Sequence, residues 1–298
     1  WADGNMTHNP VLIKEVLEYL NPGQNENFID CTAGEGGHSA EILFRNGPDG
    51  KVLAIDLDPR QAENARLNLK RFGKRAIIVD DSYANLKDIA EKENFGHVHG
   101  ILLDLGMSSF QIEEGGRGFS FNRDEPLDMR YNIKSDLTAV KIVNEYSLGE
   151  IEKILAYYGE EKFAHRIAAK ICEERKIKKI ESAFDLKNIV EKARGRARGE
   201  RISPATKTFQ ALRIAVNGEL DNLKKVLPQA VDILEVGGHF AVISFHSLED
   251  RIVKNFFKEK EKEEKIKILT KKPVVAGRYE LSENPRARSA KLRATVKI

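Results

Sequence analysis

The chain has 298 residues, with 49 Lys and Arg against 46 Asp and Glu, so its formal net charge is only +3 although 32% of its residues are charged. That balance excludes a histone-like polycation or an acidic tail, and 41% apolar residues exclude a disordered or fibrous chain and suffice for the core of one or two domains. Cys31 and Cys172 are too few for a disulfide framework or a cysteine-rich zinc site, which leaves no expected metal and fits a reducing, cytoplasmic setting. No stretch approaches the roughly 18 apolar residues of a membrane span, and the opening residues lack the pattern of a signal peptide. The expectation is a soluble protein that is neither exported nor bound to a membrane.

Val11–Leu17 has the spacing of a short amphipathic helix, closed by Asn21-Pro22-Gly23. Phe28–Cys31 is a brief apolar run stopped by the turn Thr32–His38, and Ser39–Leu43 resumes at helical spacing, giving strand, glycine-rich turn and helix. The alternation continues with Val52–Asp56 as strand, Pro59–Phe72 as helix, Ala76–Val79 as strand, Tyr83–Lys92 as helix and Gly100–Asp104 as strand. Continuous apolar strands separated by helices predict a parallel sheet covered on both faces. Asp30, Asp56 and Asp104 end or nearly end three of these strands. Ligands of open α/β sheets lie beyond the carboxyl ends of the strands, so these acids should meet in one crevice.

After Asp104 the pattern changes. Phe110–Met129 is irregular, and then come helices at Thr138–Tyr146, at Ile151–Tyr158 behind a capping box of Ser147 and Glu150, at Glu161–Lys176 and at Asp185–Ala193. Ser203-Pro204 reads as an N-cap and first helical residue launching a long helix through Phe209, Leu212 and Val216. The strand pattern returns at His239–Ser244, after the turn Gly237-Gly238. The predicted architecture is α/β: a Rossmann-like, doubly wound sheet built from residues 1–112 and 214–298, interrupted by an all-helical subdomain at 113–213.

The turn Gly34-Glu35-Gly36-Gly37-His38-Ser39, with Asp56 at the end of the following strand, has the logic of a nucleotide site. Glycines let the backbone approach a ligand, and the acid accepts hydrogen bonds from ribose hydroxyls. Two details favour S-adenosylmethionine over a dinucleotide. Ser39 stands where the dinucleotide fingerprint wants Gly or Ala, and Asp30 suits a cationic amine and a sulfonium but would sit badly near a pyrophosphate. A turn without a ligand is the bland alternative; against it, carboxylates ending buried strands need a partner or a solvated cleft.

Asp104-Leu105-Gly106-Met107-Ser108-Ser109-Phe110-Gln111 resembles the bacterial 16S rRNA cytosine-N4 methyltransferases, the RsmH or MraW family. Further segments carry the resemblance along nearly the whole chain: His8-Asn9-Pro10-Val11-Leu12, Asp30–Ser39, Arg117-Gly118-Phe119-Ser120-Phe121, Pro126–Arg130, Tyr158–Ala164, Pro204–Arg213, Ile243–Arg251 and Asn284–Arg293. The resemblance implies an enzyme that uses S-adenosylmethionine to methylate the N4 amine of a cytidine in the decoding region of 16S rRNA, on a methyltransferase fold with a helical insert. By motif it implies cofactor contacts from Gly34, Gly36, Gly37, His38, Asp56, Tyr83, Asp104 and Gln111, to which the reading above adds Asp30.

The N4 amine of cytosine is conjugated with its ring and is a poor nucleophile, so transfer needs the amine aligned with the methyl donor and acceptors drawing on its hydrogens. Asp104 is the leading acceptor, with Ser108, Ser109 or a backbone carbonyl nearby; His246, after the returning strand, either takes the released proton, binds the base or a phosphate, or merely shapes its loop. Met107, Phe119 and Phe121 either wall an extruded base or pack the insert. Basic residues at Arg194, Arg196, Arg198, Arg201, Lys207 and Arg213 face only Glu200, and ten between Lys265 and Ile298, including Arg286, Arg288, Lys291 and Arg293, face only Glu280 and Glu283. These are candidate phosphate contacts to 16S rRNA within the small ribosomal subunit. The competing readings are a methyltransferase for DNA or a small molecule, a non-catalytic RNA-binding protein with a retained cofactor pocket, and an NAD-dependent dehydrogenase. Monomer and homodimer both remain open.

Overall fold

The computed structural model describes residues 10–108, 111–112, 116–195 and 203–298. Ser109, Arg196, Arg198 and Arg201, expected at the site or on RNA, lie outside the described residues. In chain order the elements are α1 (Ile13–Leu20), β1 (Asn27–Asp30), α2 (Gly37–Arg45), β2 (Val52–Asp56), α3 (Pro59–Leu69), β3 (Ala76–Asp80), α4 (Leu86–Lys92) and β4 (Val98–Asp104). The described residues continue with α5 (Ala139–Glu145), α6 (Leu148–Gly159), α7 (Ala164–Glu174), α8 (Ala183–Arg194) and α9 (Thr206–Asn217). The chain then runs through α10 (Glu219–Ile233), β5 (Leu234–Ser244), α11 (Ser247–Lys262), β6 (Ile266–Ile268), α12 (Arg278–Glu283) and β7 (Lys291–Lys297). It divides into two compact units, Trp1–Gly106 with Leu220–Ile298, and Met107–Glu219; the second is wider at both ends than the helical stretch 113–213 expected.

The first unit is a seven-stranded sheet of order β3-β2-β1-β4-β5-β7-β6. β1 to β5 are parallel, and β7 runs antiparallel to both β5 and β6. Because side chains alternate across a strand, Ile29, Leu53, Ile55, Ile101, Leu103, Phe240 and Val242 share one core cluster with residues of α4, α10 and α11. Phe28, Val52, Ala54, Leu102, Ala241 and Ile243 share another with residues of α1, α2 and α3. Both faces are therefore covered, as the unbroken apolar strands require. The order reverses between β1 and β4, which makes that crevice the topological switch point.

The β6–β7 pair was not expected: the region after Lys265 was read for charge alone. β5 also starts earlier than expected. Leu234 pairs with Val98 and His239 with Gly100, so Glu235–Gly238 form a bulge that Gly237, at φ 83°, lets turn.

The helical unit buries one continuous core that includes Leu127, Met129, Ile142, Ile151, Leu155, Ile167, Ile171, Leu186, Val190 and Leu212. Its helices start where cap chemistry dictates. Ser147 and Glu150 form the expected capping box, and Thr138 and Ser182 accept the N–H groups of Lys141 and Asp185. A Cβ on Gly159 would stand 2.8 Å from the Lys207 carbonyl oxygen, so that glycine is what lets α6 and α9 approach. The long helix expected after Ser203 begins at Thr206 and stops at Gly218, left-handed at φ 61°, before α10 begins. Among the described residues no helix is long and apolar enough to cross a membrane.

Candidate functional site

At the carboxyl edge of β1, β2 and β4 the structure brings together Asp30, the glycine turn, His38, Asp56 and Asp104. Gly34 and Gly36 adopt φ 53° and 85°, which side chains resist, and a Cβ on Gly37 would lie 2.6 Å from Pro10. The turn is held open by acids. Asp56 Oδ2 accepts the Gly34 N–H at 2.8 Å, and Asp56 Oδ1 accepts the Asp58 N–H at 2.8 Å. Burial pushes the Asp56 carboxyl up to about 7; the two N–H groups oppose this, and the charges of Asp58 and Asp30 add to it.

Asp30 was expected to face the cofactor's amine, and the structure corrects this. It is fully buried, its Oδ2 accepting from the Ser39 hydroxyl at 2.7 Å and its Oδ1 from the Thr32 N–H at 3.2 Å. It therefore braces the turn from behind. Burial raises its carboxyl above the usual range, while His38 and these two donors pull the other way.

Asp104 stays partly open, with 18% of its side chain exposed. Its backbone N–H donates to Thr32 Oγ1 at 2.6 Å, and its Oδ1 accepts the Gly106 N–H at 3.1 Å, which orients the carboxylate. Oδ2 lies 3.4 Å from His38 Nε2. The His38 ring is buried, and neither of its nitrogens has a hydrogen-bond partner among the described residues. That pair is within Coulombic reach but is not aligned for a hydrogen bond. The first N–H groups of α2, from Gly37, His38 and Ser39, have no intrahelical acceptor. Tyr83 sits half-buried in a turn just after β3, and that loop is tied to Asp56 by the Asp81 N–H, 3.1 Å from the Asp56 carbonyl oxygen.

Ser108 and Gln111, expected at the same site, belong to the other compact unit and lock one another: Gln111 Oε1 accepts the Ser108 N–H at 3.1 Å and Ser108 Oγ accepts the Gln111 N–H at 3.2 Å. Phe119 and Phe121 take the packing alternative. Phe119 is buried and stacks on Tyr131 at 5.3 Å, and Phe121 meets Phe209 edge to face. Met107 packs partly buried against the same helical core.

His246 takes the loop-shaping alternative. Its Nδ1 accepts the Glu249 N–H at the start of α11, and its Nε2 lies 3.0 Å from Glu249 Oε1. Glu249 completes the capping box by accepting from the Phe245 and His246 N–H groups. Two of the expected phosphate contacts are corrected as well. Arg293 is buried and bonded through Nε to Asp250 Oδ1 at 2.7 Å, and Arg213 makes a bidentate pair with Glu219 at 2.9 Å. Neither is presented to a phosphate. Lys207 donates to the Glu160 carbonyl at 2.9 Å, Arg194 lies over the Phe163 ring and Lys291 lies in β7. Arg286 and Arg288 stand in the short turn before β7, Arg288 exposed.

Thr32, Ser39 and Gln61 were missed. Ser39 had a signal: it departs from the Gly or Ala of a dinucleotide turn because its hydroxyl serves Asp30. Gln61 on α3 is fully buried near Gly34, and its amide has no partner among the described residues. No sequence pattern marks it.

A family model described as the MraW methylase family matches residues 5–298. A ribosomal RNA small subunit methyltransferase H from Persephonella marina is 46% identical over 292 residues, covering 98% of this chain and 99% of its own. One of the same name from Thermosipho melanesiensis is 46% identical over 296 residues, covering 99% of each. Among solved structures, a putative rRNA-methylase from Clostridium thermocellum aligns with 98% of this chain and 100% of its own, at 12% identity and a TM-score of 0.49. With a family model spanning nearly its whole length, the chain belongs to the MraW methylase family.

Proposed function

We propose that this chain is a methyltransferase that moves the methyl group of S-adenosylmethionine to the N4 amine of a cytidine in the decoding region of 16S rRNA. Family membership and relatives named for small-subunit ribosomal RNA support the reaction and its RNA. The observation that carries the site is Asp104: a partly open carboxylate at the switch point, oriented by the Gly106 N–H and standing beside a buried histidine.

The residues present fit the cofactor. The N–H groups at the start of α2 would receive its carboxylate, Asp56 its ribose hydroxyls and Tyr83 one side of its adenine. Ser39 and Asp30 keep the turn in the shape this needs. When bound, S-adenosylmethionine supplies an electrophilic methyl group on a sulfonium. Asp104 accepts a hydrogen bond from the N4 amine, so that the nitrogen lone pair leaves conjugation with the ring and points at that methyl group. Asp104 would receive the proton that the nitrogen sheds on methylation and pass it to water. For Ser108, Ser109 and Gln111 the support is the motif alone. Residues 113–213 are assigned to substrate recognition, with Arg194, Arg196, Arg198, Arg201, Lys207, Arg286, Arg288 and Lys291 as phosphate contacts. The setting is the cytoplasm, on the small ribosomal subunit.

Incubation of the full chain with tritiated S-adenosylmethionine and small-subunit particles, naked 16S rRNA or DNA tests the reading. Label is expected on N4-methylcytidine from ribosomal RNA. Label on DNA alone, or on no nucleic acid, overturns it.

A further inference from the structure

Arg66-Leu67-Asn68-Leu69-Lys70-Arg71-Phe72-Gly73-Lys74-Arg75 carries five basic residues and no acidic one. Two of the five are spent within the protein: Arg66 pairs with Glu63, and Arg75 donates to the carbonyls of Leu43 and Gly50 and to the Asn46 side chain. Lys70, Arg71 and Lys74 are exposed, as is Arg45 at the end of α2. None of these four has a carboxylate partner among the described residues.

The aromatic rings there are as unusual as the charges. Phe44 is 56% exposed and meets Phe72 edge to face at 5.1 Å. The Arg71 guanidinium lies 4.5 Å from the Phe44 ring centroid and 5.0 Å from that of Phe72. Water gains nothing from an exposed phenyl ring, and a guanidinium laid over two rings is a ready stacking platform for a planar base. A row of unpaired cations around such a platform matches a single-stranded polyanion with unstacked bases. An acidic peptide would use the cations and leave the rings idle. α2 begins at the glycine turn with Gly37 and ends at this patch with Arg45, about 12 Å further along its axis. The patch is therefore a different surface from the cofactor crevice.

We propose that Phe44, Arg71, Lys70, Lys74 and Arg45 form a second RNA-contacting surface. It stacks one or two bases of a single-stranded segment and neutralises the flanking phosphates, away from the nucleotide being methylated. The proposal rests on the RNA-substrate reading above.

The test uses the full chain, unmethylated 16S rRNA made by transcription, and small-subunit particles. Phe44→Ala is expected to weaken binding to naked RNA about tenfold without changing its salt dependence, since no charge is lost. Lys70→Gln with Lys74→Gln is expected to weaken binding and to lower the slope of log affinity against log salt by about 1.4. Cofactor affinity, measured calorimetrically, should be that of wild type in both, which shows that the sheet unit is folded. If the wild type methylates RNA while both variants bind it as the wild type does, the surface is refuted and the substrate reading survives. Loss of binding on particles but not on naked RNA also refutes it, because the partner is then a ribosomal protein. Failure of the wild type itself to bind or methylate RNA removes the substrate reading and this proposal together.

Discussion

The crevice turn of the sheet unit and the loops of the helical unit both use charged side chains to pair backbone groups, and they differ in which charge does most of it. Where the sheet unit's backbone turns sharply, acids take the stray N–H groups: Asp56 those of Gly34 and Asp58, Asp30 that of Thr32, and Asp104 that of Gly106. Where the helical unit is irregular, arginines take the stray carbonyls: Arg117 those of Arg130 and Tyr131, Arg130 those of Ile133 and Ser135, and Arg175 those of Val143 and Tyr146. Buried backbone groups must be paired, and a charged side chain does this most strongly. A charge count therefore misleads about partners, since many of these charges already have one inside the fold. At the crevice, Asp30 is sealed while Asp104 keeps an open side.

The sharpest way to break this contrast is to remove that open acid. Asp104→Ala should lower methyl transfer about 10²–10³-fold or more, read by tritium incorporation, while the melting temperature changes little. Activity near wild type would show that Asp104 is only another turn brace. Arg117→Ala removes two charge-assisted bonds from a side chain that is 6% exposed, and should cost the helical unit about 3 kcal/mol. Hydrogen exchange should then rise in that unit and not in the sheet; uniform destabilisation would refute the division of labour.

The third expectation concerns pH. With its folded carboxyl at about 7, above the ordinary value of 3.8, Asp56 stabilises the ligand-free protein at low pH, and that contribution is lost as pH rises from about 4 through about 7. Cofactor binding runs the other way, because ribose hydroxyls need the carboxylate, so affinity should fall as pH drops through 7. Asp56→Asn should flatten both profiles in calorimetric titrations; unchanged slopes would remove Asp56 from the site. The smallest effect is Ser182→Ala, which loses the cap of α8 and should cost about 1 kcal/mol in denaturant unfolding.

The strands, the glycine turn and the three acids were legible because each depends on near neighbours. Apolar runs of four to seven residues, positive-φ glycines and cap residues announce themselves locally. The roles of individual charged residues were not legible. Arg293 and Asp250 are bonded across strands and helices far apart in the chain, and nothing near Arg293 distinguishes it from the exposed Arg288. Asp30 and Asp104 both end strands in the sequence, yet one is sealed and bonded to Ser39 and the other left partly open. The β6–β7 pair was missed for the same reason: an antiparallel edge is recognised by its partner, and Ile266–Ile268 alone is too short to show a period.

By itself the sequence determined the alternation of strand and helix, the change to a purely helical stretch after Asp104, and the chemical kind of ligand that a glycine turn followed by an acid accepts. These follow from periodicity, backbone sterics and cap chemistry, which act over a few residues. Only the tertiary structure decided which charges are braces and which are free, because solvation and pairing depend on neighbours the chain brings in from elsewhere. It chose the loop-shaping alternative for His246, enclosed Arg293 and Asp30, and left Asp104 partly open beside His38.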